Sequence, residues 1–220
     1  MPLSRVVGAA LLLPVLALAA CGGGPSFVAR DEPWREEEER ACLASGLVRE
    51  TAFVTERASL GGPSVCGALK PYKVAAADGG KVAFQPPALV RCPMVHALDT
   101  WTEQVVMPAA RRHLRTGVTG VKVAASYSCR PMNNVSGALL SEHGHANAVD
   151  VAGFMLDDGR VVTVKSWWSA TAPERDFLRE VRQGSCTIFT TVLGPGYDRL
   201  HADHLHLDLA RHHGNGRICK

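Results

Sequence analysis

The most informative segment of the chain runs from His201 to Asp208 and has the sequence HADHLHLD. Successive side chains of a β-strand point to opposite faces, so Leu205 and Leu207 would share one face while His206 lies on the other. The leucines can then pack on a core, which leaves His204 and His206 on a polar face. The pattern predicts a strand that is buried on one side and carries functional side chains on the other.

A second polar segment runs from Ser141 to Asp150 and has the sequence SEHGHANAVD. The two segments together contain five of the nine histidines of the chain. In the second segment Val149 belongs to the buried face, so Asp150 points away from the core. His143 lies in the loop just before this strand. If the two strands are neighbours, His143, Asp150 and His206 can reach the same point.

Two histidines and one carboxylate are a typical donor set for Zn²⁺. They leave the fourth position of a tetrahedral ion open, which is the arrangement of catalytic zinc sites. The alternative is that these polar side chains cover a half-exposed sheet, which would account for a lone histidine better than for three candidate ligands together. His145 is a possible substitute ligand, but its spacing to Asp150 is different, so we place it outside the ligand set. The sequence predicts one Zn²⁺ held by His143, Asp150 and His206.

The spacing of these residues resembles that of a known group of enzymes. His143, six intervening residues, Asp150 and a later His204-Leu205-His206 resemble the zinc motif of the LAS peptidases, which include D-Ala-D-Ala carboxypeptidases and the murein endopeptidase. A closer resemblance, from about Cys42 to Cys219, is to the bacterial extensin-like C-terminal domain family. The motifs that carry it are Ser126–Arg130 (SYSCR), Ser141–His143 (SEH), Leu193–Asp198 (LGPGYD) and the terminal Cys219.

The resemblance implies a fold and further site residues. The expected fold is α+β and LAS-peptidase-like, a small antiparallel sheet with flanking helices and the zinc site on one face. His204 would be the acid/base partner, His201 an additional active-site histidine and Arg130 the side chain that holds the substrate. Asp203 stands where D-Ala-D-Ala peptidases have a glutamate base. Strand alternation turns Asp203 away from His204, so His204 ranks above it as the base.

The same resemblance implies the substrate class. A zinc-dependent peptidoglycan peptidase, acting on amide bonds of stem peptides or cross-links, is the leading hypothesis. The alternatives are a non-catalytic, zinc-containing cell-wall-binding or scaffold lipoprotein and a zinc-buffering protein. The formal charge of +3 is spread over the chain without a basic block, so no nucleic-acid partner is expected. No protein partner is predicted.

The first residues predict export. Arg5 precedes an apolar run from Val6 to Ala20 that is too short to cross a membrane comfortably. The run ends in Leu18-Ala19-Ala20-Cys21, which resembles a bacterial lipobox; an ordinary cleaved secretory leader is the alternative. We therefore expect a lipoprotein signal peptide at 1–20, lipidated Cys21 and a flexible tether at 21–30, and one domain at 31–220. The protein would be anchored in a membrane of the cell envelope, facing the periplasm.

Six cysteines follow Cys21, and an even number in an exported chain predicts three disulfides. None of them forms a CxxC pair, which argues against thiolate metal ligands. Sequence alone leaves fifteen pairings open. As a working hypothesis, Cys129 pairs with Cys186 because both flank strands of the predicted sheet. Cys42–Cys66 would then close the N-terminal region, and Cys92–Cys219 would tie the tail to the long helix.

The remaining pattern predicts helices first and mostly antiparallel strands later, which indicates an α+β domain. The predicted helices are Asp31–Gly46, Met94–Leu114 with a kink at Pro108, and Pro173–Val181. The predicted strands are Val121–Ala125, Ala148–Phe154, Val161–Val164, Cys186–Val192 and His204–Leu209. The segment from Leu47 to Pro87 predicts only loops and short strands. The hydrophobic content of the whole chain, 46% over the 220 residues, fits a globular core.

Overall fold

The structure, a computed structural model, describes residues 26–220. This part of the chain forms a mixed β-sheet and several helices, which confirms the predicted α+β class. The α-helices are α1 (Trp34–Ser45), α2 (Cys92–Trp101), α3 (Met107–Leu114) and α4 (Ala172–Ile188). The strands are β1 (Val54–Glu56), β2 (Leu60–Gly61), β3 (Gly67–Ala68), β4 (Tyr72–Ala77), β5 (Val82–Val90), β6 (Val118–Ala125), β7 (Ala148–Leu156), β8 (Val161–Thr163), β9 (Thr191–Leu193), β10 (Leu205–Asp208) and β11 (Ile218–Cys219).

Nine of these strands form one sheet in the order β1-β4-β5-β6-β7-β10-β9-β11, with β8 also paired to β7. The expectation of a small antiparallel sheet was wrong, because the sheet has nine strands and is mixed. The pairs β5–β6 and β9–β11 are parallel. The first follows from the chain order, because α2 and α3 lie between β5 and β6 and provide the crossover that a parallel pair requires.

Strands β4 and β5 lie largely in the segment for which the sequence predicted only loops and short strands. Three alanines in β4 and two prolines in β5 depress their β-propensity. Their alternate residues Val74, Val82 and Phe84 are nevertheless almost completely buried. Packing against the core therefore decides the conformation of this segment.

The predicted long helix at Met94–Leu114 is present but interrupted. A π-helical stretch from Thr102 to Val106 separates α2 from α3. Pro108 lies in the first turn of α3, just after this stretch. The predicted helix is therefore divided by the π-helical stretch, which precedes the proline.

The segment around Cys186 was assigned wrongly, because α4 continues to Ile188 and the following strand is only Thr191–Leu193. A capping box between Thr171 and Glu174 starts the helix. Its buried face then repeats at helical spacing through Phe177, Val181 and Ser185. This helical period continues past Gly184 to Ser185, so Cys186 belongs to the helix and not to a strand.

All six cysteines after Cys21 are paired, so the predicted number of three disulfides is confirmed. The hypothetical pairing was wrong. The bridges join Cys42 to Cys92, Cys66 to Cys129 and Cys186 to Cys219. The physical reasons are that α1 packs on α2, and that Cys186 lies on α4 beside β11 instead of in a strand. The second bridge fixes the loop that begins at Cys129.

The main core lies between the sheet and the helices α2 to α4. Trp101 stacks near Phe154 and Phe189, with ring centroids 6.0 and 6.3 Å apart, and its indole N–H donates to Ser185 Oγ at 2.8 Å. Among the described residues, no helix has both the length and the apolar character that a membrane span requires.

The predicted signal peptide and Cys21 lie outside the described residues. Part of the predicted tether is described, and it is docked on the domain. The Val28 N–H donates to the Ala138 carbonyl at 2.8 Å, and the Leu140 N–H donates to the Val28 carbonyl at 3.0 Å. The folded unit therefore includes residues before 31.

Candidate metal centre

Strands β7 and β10 are antiparallel neighbours, and their register places His206 directly opposite Asp150. Leu205 and Leu207 are completely buried on the core side, as the alternating pattern predicted. His143 lies on a short 3₁₀ turn from Glu142 to His145 that leads into β7. The sheet therefore brings together the three predicted zinc ligands from two distant parts of the sequence.

The donor atoms of these residues, which we call the donor cluster (His143, Asp150 and His206), all lie within 4.8 Å of one another. Oδ1 of Asp150 is 3.2 Å from His143 Nε2 and 2.9 Å from His206 Nδ1. The two nitrogens are 3.3 Å apart. Ligands bound to a tetrahedral zinc at about 2.0–2.1 Å are about 3.3 Å from one another. The residues present therefore fit Zn²⁺ in number, chemistry and spacing.

The other ring nitrogen of each histidine has an oxygen acceptor. Nδ1–H of His143 donates to the Ser126 carbonyl at 2.6 Å, and Nε2–H of His206 donates to Asp208 Oδ2 at 2.9 Å. Such bonds fix the tautomer and the ring orientation, and they make the free nitrogen a better metal donor. Sequence reasoning gave no role to Asp208, although it lies on the same face of β10 as His206. The contact at Ser126 involves only the backbone carbonyl, so no side chain in the sequence marks it.

The electrostatics of the donor cluster in the metal-free protein follow from these contacts. Burial lowers the pKa of His206, but the hydrogen bonds with Asp150 and Asp208 outweigh burial and raise it to about 10. Burial raises the pKa of Asp150, whereas the hydrogen bonds from His143 and His206 hold it far below its usual range. At neutral pH His206 is therefore an imidazolium between two carboxylates.

Zinc binding at pH 7 is expected to release about one proton from His206, because the ion takes the place of the Nδ1 proton. The measurement is zinc titration calorimetry in buffers of different ionisation enthalpy, where the slope of heat against that enthalpy gives the protons released. Asp208→Asn removes one of the carboxylates that raise the His206 pKa and should reduce the slope. A slope of zero for the parent protein would contradict this protonation state.

His204 lies beside the donor cluster. Its Nε2 is 3.6 Å from Asp150 Oδ1, and its Nδ1–H donates to Asp203 Oδ1 at 2.9 Å. Asp203 itself is largely exposed and turned toward His204. The expectation that strand alternation turns Asp203 away from His204 was wrong, because β10 begins only at Leu205 and both residues precede the strand. The arrangement makes Asp203 a residue that orients His204.

His201 is also held by a carboxylate. Its Nδ1–H donates to Asp198 Oδ1 at 2.7 Å, and the same oxygen accepts the backbone N–H groups of Leu200 and His201. Burial lowers the pKa of His201 despite the opposing effect of Asp198, so the ring is neutral and its Nε2 is an acceptor. Its centroid is 6.0 Å from that of His206. In the sequence Asp198 is visible only as the last residue of the LGPGYD motif, which does not indicate this contact.

The turn that carries His143 is tied to α1. The guanidinium of Arg35 donates to both carboxylate oxygens of Glu142 at 2.6 and 2.7 Å, and Asn147 Nδ2 donates to Glu142 at 2.7 Å. The His145 ring lies near α1, with its Nε2 4.0 Å from Glu32 Oε2. Burial and the nearby charge of Arg35 lower the pKa of His145 to about 4. It lies outside the donor cluster.

The donor cluster lines a cleft of about 450 Å³. Its other walls come from the N-terminal segment at 28–35, the loop at 130–142, the turn at 197–204 and the tail at 210–218. Arg130, the predicted substrate-binding residue, is in the same cleft. Its carbonyl accepts the Ser141 N–H at 3.1 Å, and the bridge from Cys129 to Cys66 fixes the residue before it.

A family model described as Extensin-like protein C-terminus matches residues 40–220. The match includes the donor cluster, the loops around the cleft apart from the N-terminal segment, and all six paired cysteines. No curated protein and no solved structure matches the chain. The family that the sequence motifs resembled is thus confirmed, and the chain belongs to the extensin-like protein C-terminus family.

Proposed function

We propose that the protein is a zinc-dependent peptidase that hydrolyses amide bonds in the stem peptides or cross-links of peptidoglycan, and that it is related to the LAS peptidases. The observation that carries the proposal is the donor cluster, in which three donor atoms converge and both histidines have an oxygen acceptor on the opposite nitrogen. The substrate class rests on the resemblance of the residue spacing to LAS enzymes.

The donor cluster, His204 and Arg130 have distinct chemical tasks in this proposal. A zinc ion held by the donor cluster would lower the pKa of a water to about 7 and polarise the substrate carbonyl. Nε2 of His204, 3.6 Å from Asp150 Oδ1, would accept a proton from that water and return it to the leaving amine. Asp203 would hold the imidazole ring through its hydrogen bond with Nδ1–H. Arg130 presents a guanidinium fork that suits a substrate carboxylate or carbonyl oxygen.

The proposal is tested by incubating the purified, zinc-loaded protein with muropeptides and analysing the products by mass. We expect fragments that correspond to hydrolysis of an amide bond, with the reaction lost after chelation and restored by zinc. If the protein binds peptidoglycan with zinc in place and cleaves nothing in a broad muropeptide panel, it is the scaffold protein instead.

We also propose that Cys21 is lipidated and anchors the domain at a membrane of the cell envelope, facing the periplasm. The support is the Leu18-Ala19-Ala20-Cys21 ending of the apolar run. Cys21→Ser is expected to move the protein from the membrane fraction to a soluble periplasmic or secreted fraction, because the single lipid attachment site is lost. A variant that sediments with membranes as completely as the parent would overturn the lipid anchor.

Asp198 is expected to act as a positioning residue for His201. Asp198→Asn keeps a hydrogen-bond acceptor at the turn but removes the negative charge. That charge orients the His201 ring and raises its pKa. By analogy with outer-shell partners of active-site groups, we expect turnover to fall about 10- to 100-fold with zinc retained. The pKa of the His201 imidazole, followed by NMR titration, should also move to lower pH, because Asp198 is a group that raises it. Asp176→Asn, which removes an exposed carboxylate on α4, is the control; an unchanged His201 pKa in Asp198→Asn would refute the role.

A further inference from the structure

The exposed apolar side chains of the described residues are concentrated around the cleft. Eleven large hydrophobic residues are exposed, and five of them line the cleft. These five are Val28, Met132, Tyr197, Leu200 and Ile218. Exposed apolar surface that gathers at one place marks a binding surface. The exposed apolar surface of the cleft therefore extends beyond the residues that would hold a metal ion.

The two adjacent tryptophans have different environments. Trp167 is 5% exposed and packs in the core, with the Arg182 guanidinium 5.9 Å above its ring. Trp168 is 71% exposed, the most exposed of the large hydrophobic residues. One tryptophan of the pair therefore belongs to the core, and the other is exposed at the surface.

Trp168 lies next to the turn that leads into the cleft. A Cβ atom on Gly196 would be 3.8 and 4.0 Å from Cζ2 and Cη2 of the indole, so the ring edge faces the side of this turn that a side chain at Gly196 would occupy. The next residue, Tyr197, is half exposed and lines the cleft. Trp168 therefore lies beside the turn from which Tyr197 enters the lining of the cleft.

A row of rings connects this surface with the donor cluster. The centroids of Tyr197 and His201 are 5.7 Å apart, and those of His201 and His206 are 6.0 Å apart. An extended peptide spans about 3.3 Å per residue, so a few residues reach from the donor cluster to Tyr197. A group attached to the end of a short peptide would then lie near Trp168.

We propose that Trp168 and Tyr197 form a sugar-binding platform, which holds the N-acetylated glycan of peptidoglycan while its stem peptide lies in the cleft. This inference rests on the proposed function, because that function supplies a peptide joined to a sugar. The face of an aromatic ring is negative, and the C–H groups on the face of a pyranose carry partial positive charge, so the two faces attract.

The surroundings of Trp168 favour a sugar over an apolar partner. The exposed residues that adjoin Trp168 are small or polar: Ser169 follows it in the chain, and Gly196 faces the edge of its ring. A single flat ring among such residues offers contact to the face of a sugar and leaves its hydroxyl groups in reach of polar atoms and water.

The test compares binding of three probes by titration calorimetry: an N-acetylglucosamine tetramer, a disaccharide carrying a stem peptide, and the same stem peptide without sugar. Trp168→Ala is expected to weaken the first two by about tenfold and to leave the third unchanged. Trp168→Phe keeps an aromatic face and should retain most of the affinity. Leu47→Ala removes a comparably exposed side chain far from the cleft lining and should change nothing.

Equal affinity of the parent and Trp168→Ala for the tetramer would overturn the platform, and so would a parent that does not bind the tetramer. An equal loss for the sugar-free peptide would assign Trp168 to peptide binding and also overturn it. The outcome is separate from that of the proposed function. Sugar binding that depends on Trp168 in a protein that cleaves no muropeptide would support the platform and refute the peptidase.

Discussion

Replacing His143, Asp150 or His206 with alanine is expected to abolish stoichiometric zinc binding, whereas the parent protein purified without chelator should hold one zinc per chain. Each replacement leaves two donors, and two donors hold the ion poorly in competition with water. The measurement is zinc content by elemental analysis after dialysis, together with a far-UV spectrum that confirms the fold.

Two further variants sharpen this result. His96→Ala removes an exposed histidine outside the cleft and should keep one zinc per chain. Asp208→Asn leaves all three donors but weakens the hydrogen bond behind His206, so the affinity should fall by about 10- to 100-fold without loss of the site. Full zinc occupancy in His206→Ala would reject this donor set.

The second large effect is expected at His204. His204→Ala should lose about 10²- to 10⁴-fold in amide hydrolysis, the usual contribution of general acid–base assistance, and should keep its zinc because His204 is not part of the donor cluster. The experiment measures zinc content and muropeptide cleavage on the same preparations. Arg130→Ala, measured beside it, should raise KM and slow the reaction with zinc retained.

A His204→Ala variant with parental turnover would show that His204 is not the base. His201 is the next candidate, because its Nε2 is a free acceptor with its Nδ1 held by Asp198. Asp203 is a weaker candidate, since its carboxylate is exposed and bonded to His204. His201→Ala and Asp203→Ala would then separate the two.

The donor residues could be predicted from the sequence because strand alternation is a strict geometric rule. Leu205 and Leu207 fix which face of β10 is buried, and the position of His206 follows. What the sequence left as a condition was the pairing of β7 with β10. The register that places Asp150 opposite His206 depends on contacts between distant segments, which no local pattern encodes.

The residues that could not be predicted from the sequence do not belong to the donor cluster; they bond to the histidines of the site and orient them. Asp208 and Asp198 contact histidines, and Ser126 contributes only its backbone carbonyl. Their roles depend on the direction of a ring nitrogen, which appears only in three dimensions. The errors in the fold have a similar origin. The alanines of β4 form a strand because they are buried, and Cys186 reaches Cys219 because α4 is longer than its apolar start indicated.

Zinc-edge anomalous diffraction from crystals of the zinc-loaded protein tests the central claim most directly. The account predicts one strong peak per chain, at about 2.0–2.2 Å from His143 Nε2, a carboxylate oxygen of Asp150 and His206 Nδ1. A peak coordinated instead by His201 and His204, or bound zinc that leaves the donor cluster without a peak, would contradict it.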